Sequence, residues 1–441
     1  MTHATSAAPI GNRGRIQSLD ILRGVAVFGI LLMNITAFAL VFPAYYNPTI
    51  DGGATGINLA TYEVVTVLFE GTMRGIFSLL FGAGIVLLTS RMEESGAGLM
   101  TAEIHFRRMM WLLLFGFVHW ALMLWIGEIL FAYAICGLLL FAPRKLPASQ
   151  QLIIAGLILA VALFMSNQDY QATKASEVAY QSVHSSLVEG AAPTDQQQSV
   201  IDEWKTHQAH ASISEQDADG QRMIRTLPYW EAVKAQFPLA YDYQWTTSPR
   251  WLLLDIVPFM LIGMAFLKLG LLDAAAKTQT YLAMFVLGYG VGVPLGTYEV
   301  GLTVAGDFSA VSIAEADRTY QISRLAMVIG HLGLLLLIIK SGILAPLQRA
   351  FAAAGKMALT NYLMQSVICV ALFYGFGFAL FGAFERHELY YIVGAICILQ
   401  LFWSVLWLRA FRFGPFEWLW RSLTYWKLQP LRLGGRGPTP E

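Results

Sequence analysis

The sequence predicts an all-α protein, a polytopic transmembrane bundle of about ten helices with a polar extracytoplasmic loop. Of the 441 residues, 56% are hydrophobic and only 13% are charged, about half of the charged fraction of a soluble domain. Long apolar runs recur along the chain, and Lys and Arg collect in short clusters beside them. The net charge is zero, so nothing indicates a nucleic-acid partner.

Composition divides the chain into segments. The first apolar run, 19–42, is too long for a signal peptide and long enough to span a bilayer. The five predicted parts are a cytoplasmic tail at 1–18, helices one to five at 19–166, an extracytoplasmic loop at 167–249, helices six to ten at 250–409 and a basic cytoplasmic tail at 410–441. The ten predicted spans are 19–42, 62–90, 107–125, 126–142, 150–166, 250–272, 279–297, 320–340, 357–381 and 388–409. Between 107 and 142 the sequence leaves open a tight hairpin or one long tilted helix.

The distribution of basic residues predicts the orientation. Residues 43–61 contain no Lys or Arg, whereas the segments expected on the other side of the membrane carry most of the basic residues. By the positive-inside rule, both termini are expected in the cytoplasm. The loop at 167–249 holds eleven Asp and Glu against five Lys and Arg, and a loop of this length is expected to cap a site.

Charged side chains inside apolar helices are candidates for function, because a charge facing lipid is costly. Asp20 and Arg23 share a face at the start of the first helix, and Asn34 returns to nearly the same face. A helix cap and a snorkelling arginine would explain the first two equally well. Glu70 and Arg74, at i and i+4, can form an ion pair that faces the bundle, which is either functional or purely structural.

Other polar residues extend this set. Ser78 continues the face of Arg74, while His119 and His331 lie mid-span, where histidine suits proton transfer or a hydrogen bond between helices. Glu128 lies at an outward turn, either as a functional carboxylate or as a solvated one. Asn361 and Gln365 form a polar stripe in the ninth span.

Four charged residues mark the outward ends of the sixth and eighth spans: Arg250, Asp255, Arg318 and Arg324. An outward anionic or polar ligand would explain the arginines, and so would pairing with the acidic loop.

His207 and His210 have loose metal-ligand spacing without further ligands, so no metal is predicted. The three cysteines lie in apolar runs without CxxC spacing, as buried structural cysteines do. Walker A, Rossmann and GxSxG motifs are absent from the sequence, which disfavours ATP-driven transport and serine hydrolysis.

Several of these residues belong to longer motifs. The motifs are Leu19-Asp20-x-x-Arg23-Gly24 with Met33-Asn34, Phe69-Glu70-Gly71-x-x-Arg74-x-x-Phe77-Ser78, His119-x5-Trp125-x-Gly127-Glu128, Gly355-Lys356-Met357-Ala358-Leu359-Thr360-Asn361-Tyr362 and Gly414-Pro415-x-Glu417-Trp418. Together they resemble the YeiB-like membrane proteins, which contain domain of unknown function 418. The opening motif is also similar to those of two groups of membrane acyltransferases, the acyltransferase 3 family and the heparan-glucosaminide N-acetyltransferase type.

This resemblance implies transfer of an acyl group from a cytoplasmic donor, acyl-CoA, to a small-molecule, glycan or lipid acceptor at or across the membrane. Acyltransferase 3 proteins place a histidine eleven residues after the arginine, where this chain has Asn34. Because asparagine cannot act as a general base, that role falls to His119, Glu70 or Glu128.

The leading interpretation is therefore a membrane acyltransferase of the bacterial inner membrane, with several membrane passes. The expected catalytic residues are His119, Glu70 and Glu128, and the expected substrate-binding residues are Asp20, Arg23, Asn34, Arg74, Ser78, Arg250, Arg324, His331, Asn361 and Gln365. Two alternatives remain open: a transporter or permease for a small polar or anionic solute that uses the same residues, and a non-catalytic scaffold whose loop binds a partner.

Overall fold

The computed structural model describes residues 16–187, 192–208, 211–247 and 252–433. The first five helices are α1 (Gln17–Ala39), α2 (Gly56–Phe69), α3 (Thr72–Glu94), α4 (Met100–Leu122) and α5 (Leu130–Leu139). The next four are α6 (Ala148–Ser186), α7 (Asp195–Gln208), α8 (Glu215–Thr226) and α9 (Tyr229–Asp242). The remainder are α10 (Val257–Lys268), α11 (Thr278–Ala305), α12 (Ala310–Ala316), α13 (Tyr320–Ser341), α14 (Ala345–Lys356), α15 (Ala358–Phe373), α16 (Arg386–Ala410) and α17 (Pro415–Tyr425). The predicted all-α class is confirmed.

The described helices include six candidates for crossing a membrane. By length and apolar composition these are α1, α2 with α3, α6, α11, α13 and α16. The pair α14 and α15, bent by 81°, gives a seventh if the two helices are counted as one span. The sequence predicted ten spans. Two of the predicted spans contain short helices, because α5 has 10 residues and α10 has 12, fewer than the about 20 that cross a bilayer as a straight helix.

The structure interrupts the helices in two of the predicted regions. The span at 62–90 is broken between α2 and α3, where Gly71 has φ +63°, a left-handed conformation that glycine adopts without a steric penalty. The region 107–142 forms two helices, α4 and α5, separated by the non-helical residues 123–129. The first interruption is a departure from the predicted continuous span and the second agrees with the hairpin alternative; both bring polar backbone and side chains into the interior of the bundle.

Helix α1 is the centre of the packing, and it contacts α3, α14, α15 and α16. Its close approach to α14 depends on two glycines. A Cβ atom at Gly24 would overlap the carbonyl of Phe351, and one at Gly355 would overlap the carbonyl of Asp20. Small residues permit this spacing between membrane helices, and it fixes the start of α1 against the C-terminal third of the chain.

Much of the predicted loop 167–249 is helical in its described part, since α6 continues to Ser186 and α7, α8 and α9 follow. This region covers the segment after α1 through direct hydrogen bonds. The Phe42 backbone N–H donates to Gln221 Oε1 (2.8 Å), and Asn47 Nδ2 donates to the Ala211 carbonyl (2.7 Å). The loop helices therefore close a space beside the second half of α1.

Candidate functional site

A cluster of basic side chains surrounds two adjoining cavities of about 150 and 120 Å³ at the N-terminal end of α1. We call this pair the basic cavity. Its basic lining residues are Arg23, Arg91, Arg108, Lys356 and Arg421. Two carboxylates, Asp20 and Glu417, also line it. The excess of positive charge favours an anionic group, and arginine forks suit phosphate or carboxylate oxygens.

The local packing holds the arginines of the basic cavity in place. Asp20 Oδ1 accepts from Arg23 Nη1 (3.2 Å), as the i, i+3 spacing predicted. The Arg108 guanidinium lies 4.0 Å from the centre of the Trp420 ring, whose Nε1 donates to the Arg108 carbonyl (2.9 Å). Glu417 is occupied by Thr360, whose backbone N–H and hydroxyl both donate to it.

Toward the bundle centre the basic cavity becomes apolar and ends at Leu130, Tyr133 and Tyr362. The Tyr133 hydroxyl lies 2.6 Å from Ser78 Oγ and 3.3 Å from the Arg74 carbonyl. Ser78 is therefore engaged in helix packing, by its bond to Tyr133 and by donating to the carbonyl of Arg74 (2.9 Å).

His119 forms a hydrogen-bonded chain beside this inner end. Its Nε2 lies 2.8 Å from Ser366 Oγ and its Nδ1 lies 3.5 Å from Glu128 Oε1. His119 is fully buried and Glu128 nearly so. Glu128 also accepts from the backbone N–H groups of Leu130 and Phe131, so it caps the start of α5. The acid–histidine–serine order is one that proton-transfer sites use.

A larger cavity, of about 980 Å³, lies beside the second half of α1 under the loop helices. We call it the loop-capped cavity. Asn34, Arg74 and Glu128 line it, together with the aromatic residues Tyr45 and Trp125. Burial raises the pKa of the Tyr45 hydroxyl, with the nearby Glu70 carboxylate as a further cause, so Tyr45 is a neutral hydrogen-bonding group there.

The basic and loop-capped cavities approach each other closely. Ile129 lines the loop-capped cavity and its neighbour Leu130 lines the basic cavity. His119 contacts a lining residue of each cavity. It lies beside Glu128 of the loop-capped cavity, and its ring centre lies 5.1 Å from that of Tyr362, which lines the basic cavity. His119 itself lines neither cavity.

A third cavity of about 460 Å³ opens at the break between α2 and α3. We call it the acidic cavity. Its charged lining residues are Glu70, Asp169, Asp255, Glu299 and Asp317 with Arg74 and Arg324. The predicted pair of Glu70 and Arg74 is present at 4.0 Å, but Arg74 lies closer to Asp255, at 3.0 Å between Nε and Oδ2. Asp255 also forms an ion pair with Arg324.

Asp317 lies between α12 and α13 and lines the acidic cavity. Burial among the surrounding groups, together with the negative charges of Glu70, Glu299 and Asp169, raises the pKa of its carboxyl from 3.8 to about 7. Asp317 retains exposed surface. This carboxyl can therefore exchange a proton near neutral pH.

Three predicted residues lie away from these cavities. His331 Nδ1 bonds to the Met327 carbonyl on its own helix (2.9 Å), and its ring packs against Phe69 and Tyr289. Asn361 and Gln365 join α15 to α16: Asn361 Nδ2 donates to Ser404 Oγ (3.1 Å) and Gln365 Nε2 to Gln400 Oε1 (3.0 Å). The structure gives these residues structural contacts and does not join them to His119. Arg250 and His210 fall outside the described residues.

The sequence interpretation did not single out Arg108, Tyr133, Glu299, Asp317, Ser366 or Arg421 as site residues. Glu299 carried a usable signal, because a carboxylate beside an apolar run is a candidate in itself. Ser366 and Tyr133 carried none, since hydroxyls are common in membrane helices. In the described part of the chain, no group of three or more His, Cys, Asp or Glu side chains is placed to hold a metal ion.

Comparison with known proteins gives the family. Residues 266–427 match the family described as "Protein of unknown function (DUF418)". YeiB of Escherichia coli (strain K12), described as an uncharacterized protein, is 30% identical over 427 residues, which cover 92% of this chain and 95% of that protein. The chain belongs to the YeiB-like DUF418 family.

Two further relatives extend the match to almost the whole chain. YxaH of Bacillus subtilis (strain 168), also described as uncharacterized, is 29% identical over 445 residues, 97% of this chain and 98% of YxaH. An uncharacterized 39.9 kDa protein from the amylase 3' region of Bacillus acidopullulyticus is 26% identical over 96% of this chain and 98% of that protein. No solved structure matches the chain. The family predicted from the motifs is confirmed, and the descriptions of these relatives name no activity.

Proposed function

We propose that this integral membrane protein is an acyltransferase of the bacterial inner membrane, which transfers an acyl group from a cytoplasmic donor to an acceptor at or across the membrane. One observation carries the proposal: two cavities of different character lie toward opposite ends of α1 and are lined by the consecutive residues Ile129 and Leu130, beside His119. In the proposed orientation, both termini and the basic cavity face the cytoplasm, in agreement with the positive-inside rule.

The basic cavity is the proposed donor site. The phosphate groups of acyl-CoA would bind Arg108 and Arg421, while the acyl chain would follow the apolar walls toward Leu130 and Tyr133. The similarity of the opening motif around Asp20 and Arg23 to two groups of membrane acyltransferases supports this donor.

The loop-capped cavity is the proposed acceptor site, with Asn34 and Arg74 among its polar contacts. Glu128 faces the acceptor, and His119 lies behind it to share the proton. As the acceptor oxygen or nitrogen attacks the thioester carbonyl, a C–O or C–N bond forms and the C–S bond breaks. The acceptor's proton passes through Glu128 and His119 to the departing thiolate. Glu70 orients the groups through Arg74.

Donor binding provides the first test. Purified protein in detergent is incubated with radiolabelled acetyl-, butyryl- and palmitoyl-CoA, and the bound label is measured at equilibrium. An Arg421→Gln variant should lose about tenfold in affinity, because one charge-assisted hydrogen bond contributes roughly 1.5–3 kcal/mol. The matched control is Arg412→Gln, since Arg412 is exposed and lines neither part of the basic cavity. Absence of donor binding, or equal losses in both variants, would contradict the proposal.

Transport of a small polar or anionic solute is the second candidate. The observation that favours it is the helix break at Gly71, with Arg74 and Arg324 beside it, because transporters bind solutes at discontinuous helices. Solute uptake into proteoliposomes by a protein that binds no acyl-CoA would favour this function over acyl transfer.

A further inference from the structure

The acidic cavity takes no direct part in the proposed acyl transfer. Its volume of about 460 Å³ lies in the range of pockets that hold small molecules. It shares Tyr46 and Arg74 with the loop-capped cavity, so the two spaces adjoin. Its charges, however, are arranged differently from those of the other two cavities.

One wall of the acidic cavity carries a carboxylate excess. Asp255 forms ion pairs with both Arg74 and Arg324. Within the described residues, neither Glu299 nor Asp317 has an ion-pair partner. A positively charged group with hydrogen-bond donors would satisfy both carboxylates.

The Glu299 carboxylate is fixed in position by two hydrogen bonds. Its Oε1 accepts from the Thr319 hydroxyl and its Oε2 accepts from the Ser323 hydroxyl, each at 2.7 Å. These bonds fix the carboxylate without neutralising it. Each carboxylate oxygen can accept further hydrogen bonds, so a protonated amine can bind without displacing either hydroxyl.

Arg324, the next residue on α13 after Ser323, provides a hydrogen-bond donor where Glu299 provides acceptors. Arg324 is 2% exposed. Its Nε donates to the Gly71 carbonyl (3.0 Å) and its Nη1 faces Asp255. Its Nη2 is buried and has no hydrogen-bond partner within the described part of the chain. Because buried donors in proteins are almost always paired and Arg324 lines the acidic cavity, this atom is a suitable donor to a ligand acceptor in that cavity.

We propose that the acidic cavity binds a small zwitterion, with its protonated amine at Glu299 and Asp317 and its carboxylate or other anionic group at Arg324 Nη2. A simple cation would leave Arg324 Nη2 unsatisfied, and a simple anion would add negative charge beside Glu299 and Asp317. An amine fits better than a metal ion, because no metal-binding group is found in the described residues.

The test is equilibrium binding to purified protein in detergent, measured by isothermal titration calorimetry without an acyl donor. The probes are glycine, β-alanine and 4-aminobutyrate, with methylammonium and acetate as single-charge controls. At least one zwitterion should bind tenfold or more tightly than either control. If no zwitterion binds, or if acetate or methylammonium binds as tightly, the inference is wrong.

Paired variants locate the site. Glu299→Gln should weaken zwitterion binding at least tenfold, whereas Glu315→Gln, on α12 and outside the cavity lining, should leave it unchanged. Asp317→Asn provides a second variant if Glu299→Gln does not fold, because the Asp317 side chain is exposed. Unchanged affinity in the folded variants would overturn the assignment. Since acyl donor is absent throughout, failure of acyl transfer would not affect this result.

Discussion

The substitution Asp255→Asn is expected to destabilise the helix bundle strongly. Asp255 is 3% exposed and pairs with two arginines. Asparagine preserves the shape of the side chain but removes its negative charge. Within the described residues Arg324 has no other ion-pair partner, whereas Arg74 keeps Glu70 at 4.0 Å.

The magnitude follows from the burial of these charges. Removal of one partner of a buried ion pair costs about 3–5 kcal/mol, because it leaves an uncompensated charge in a poorly solvated site. Most of this cost falls on Arg324. At roughly 2 °C per kcal/mol, the low end of the range for larger chains, Tm should fall by about 6–10 °C.

Thermal unfolding in detergent can be followed with a thiol-reactive fluorescent dye, because Cys136 and Cys369 are fully buried in the folded protein. The matched control is Asp273→Asn, at an exposed turn, where a change within about 0.5 kcal/mol is expected. Adding Arg324→Met to Asp255→Asn should recover part of the lost stability, since it removes the unpaired charge. A decrease in Tm of less than about 2 °C relative to the control would refute the reasoning.

Three further substitutions have definite expectations. Gly71→Ala should lower the free energy of unfolding by about 1–3 kcal/mol more than Gly56→Ala in the same thermal assay. Both glycines have positive φ, but only at Gly71 would a Cβ meet other side chains. Equal losses would show that these contacts are unimportant. Ser366→Ala should lower the free energy of unfolding by about 1 kcal/mol, because it removes the 2.8 Å hydrogen bond to buried His119; no change would contradict that bond. The pKa of Asp317 is raised from 3.8 to about 7 in the folded state, so the native protein binds this proton more tightly than the unfolded chain and loses stability as pH rises from about 4 to 7. Because Asp317 is exposed, solvent screens most of this effect, so Asp317→Asn should raise Tm at about pH 8 by about 1–2 °C and should not raise it below about pH 4. A pH-independent difference would exclude this titration.

The sequence predicted the helices better than their interruptions. Apolar runs place a helix within each of the ten predicted spans, because hydropathy reports directly on burial in lipid. The break at Gly71 could not be predicted, since glycine also occurs inside continuous membrane helices. The separation of α4 from α5 was left open by the sequence for a similar reason, because only a few residues interrupt the two apolar runs.

Local spacing also predicted only part of the site. The i, i+4 rule found Glu70 and Arg74, but the closer partner of Arg74 is Asp255, 181 residues away in the chain. The same limit applies to His119, which was selected for its chemistry, whereas its partner Ser366 comes from α15. The polar stripe of Asn361 and Gln365 was real, but its partners on α16 give it a structural role that spacing alone cannot distinguish from binding.

The layer that contains Ile129 and Leu130, between the basic and loop-capped cavities, affects where the membrane potential falls. Water in cavities on both sides would conduct far better than the surrounding hydrocarbon. The membrane potential would therefore fall mainly across this layer instead of across the full bilayer thickness of about 30 Å. A charge that moves past it would exchange about 2.3 kcal/mol with each 100 mV of potential. In the proposed mechanism, proton movement between Glu128 and His119 would then respond to the membrane potential.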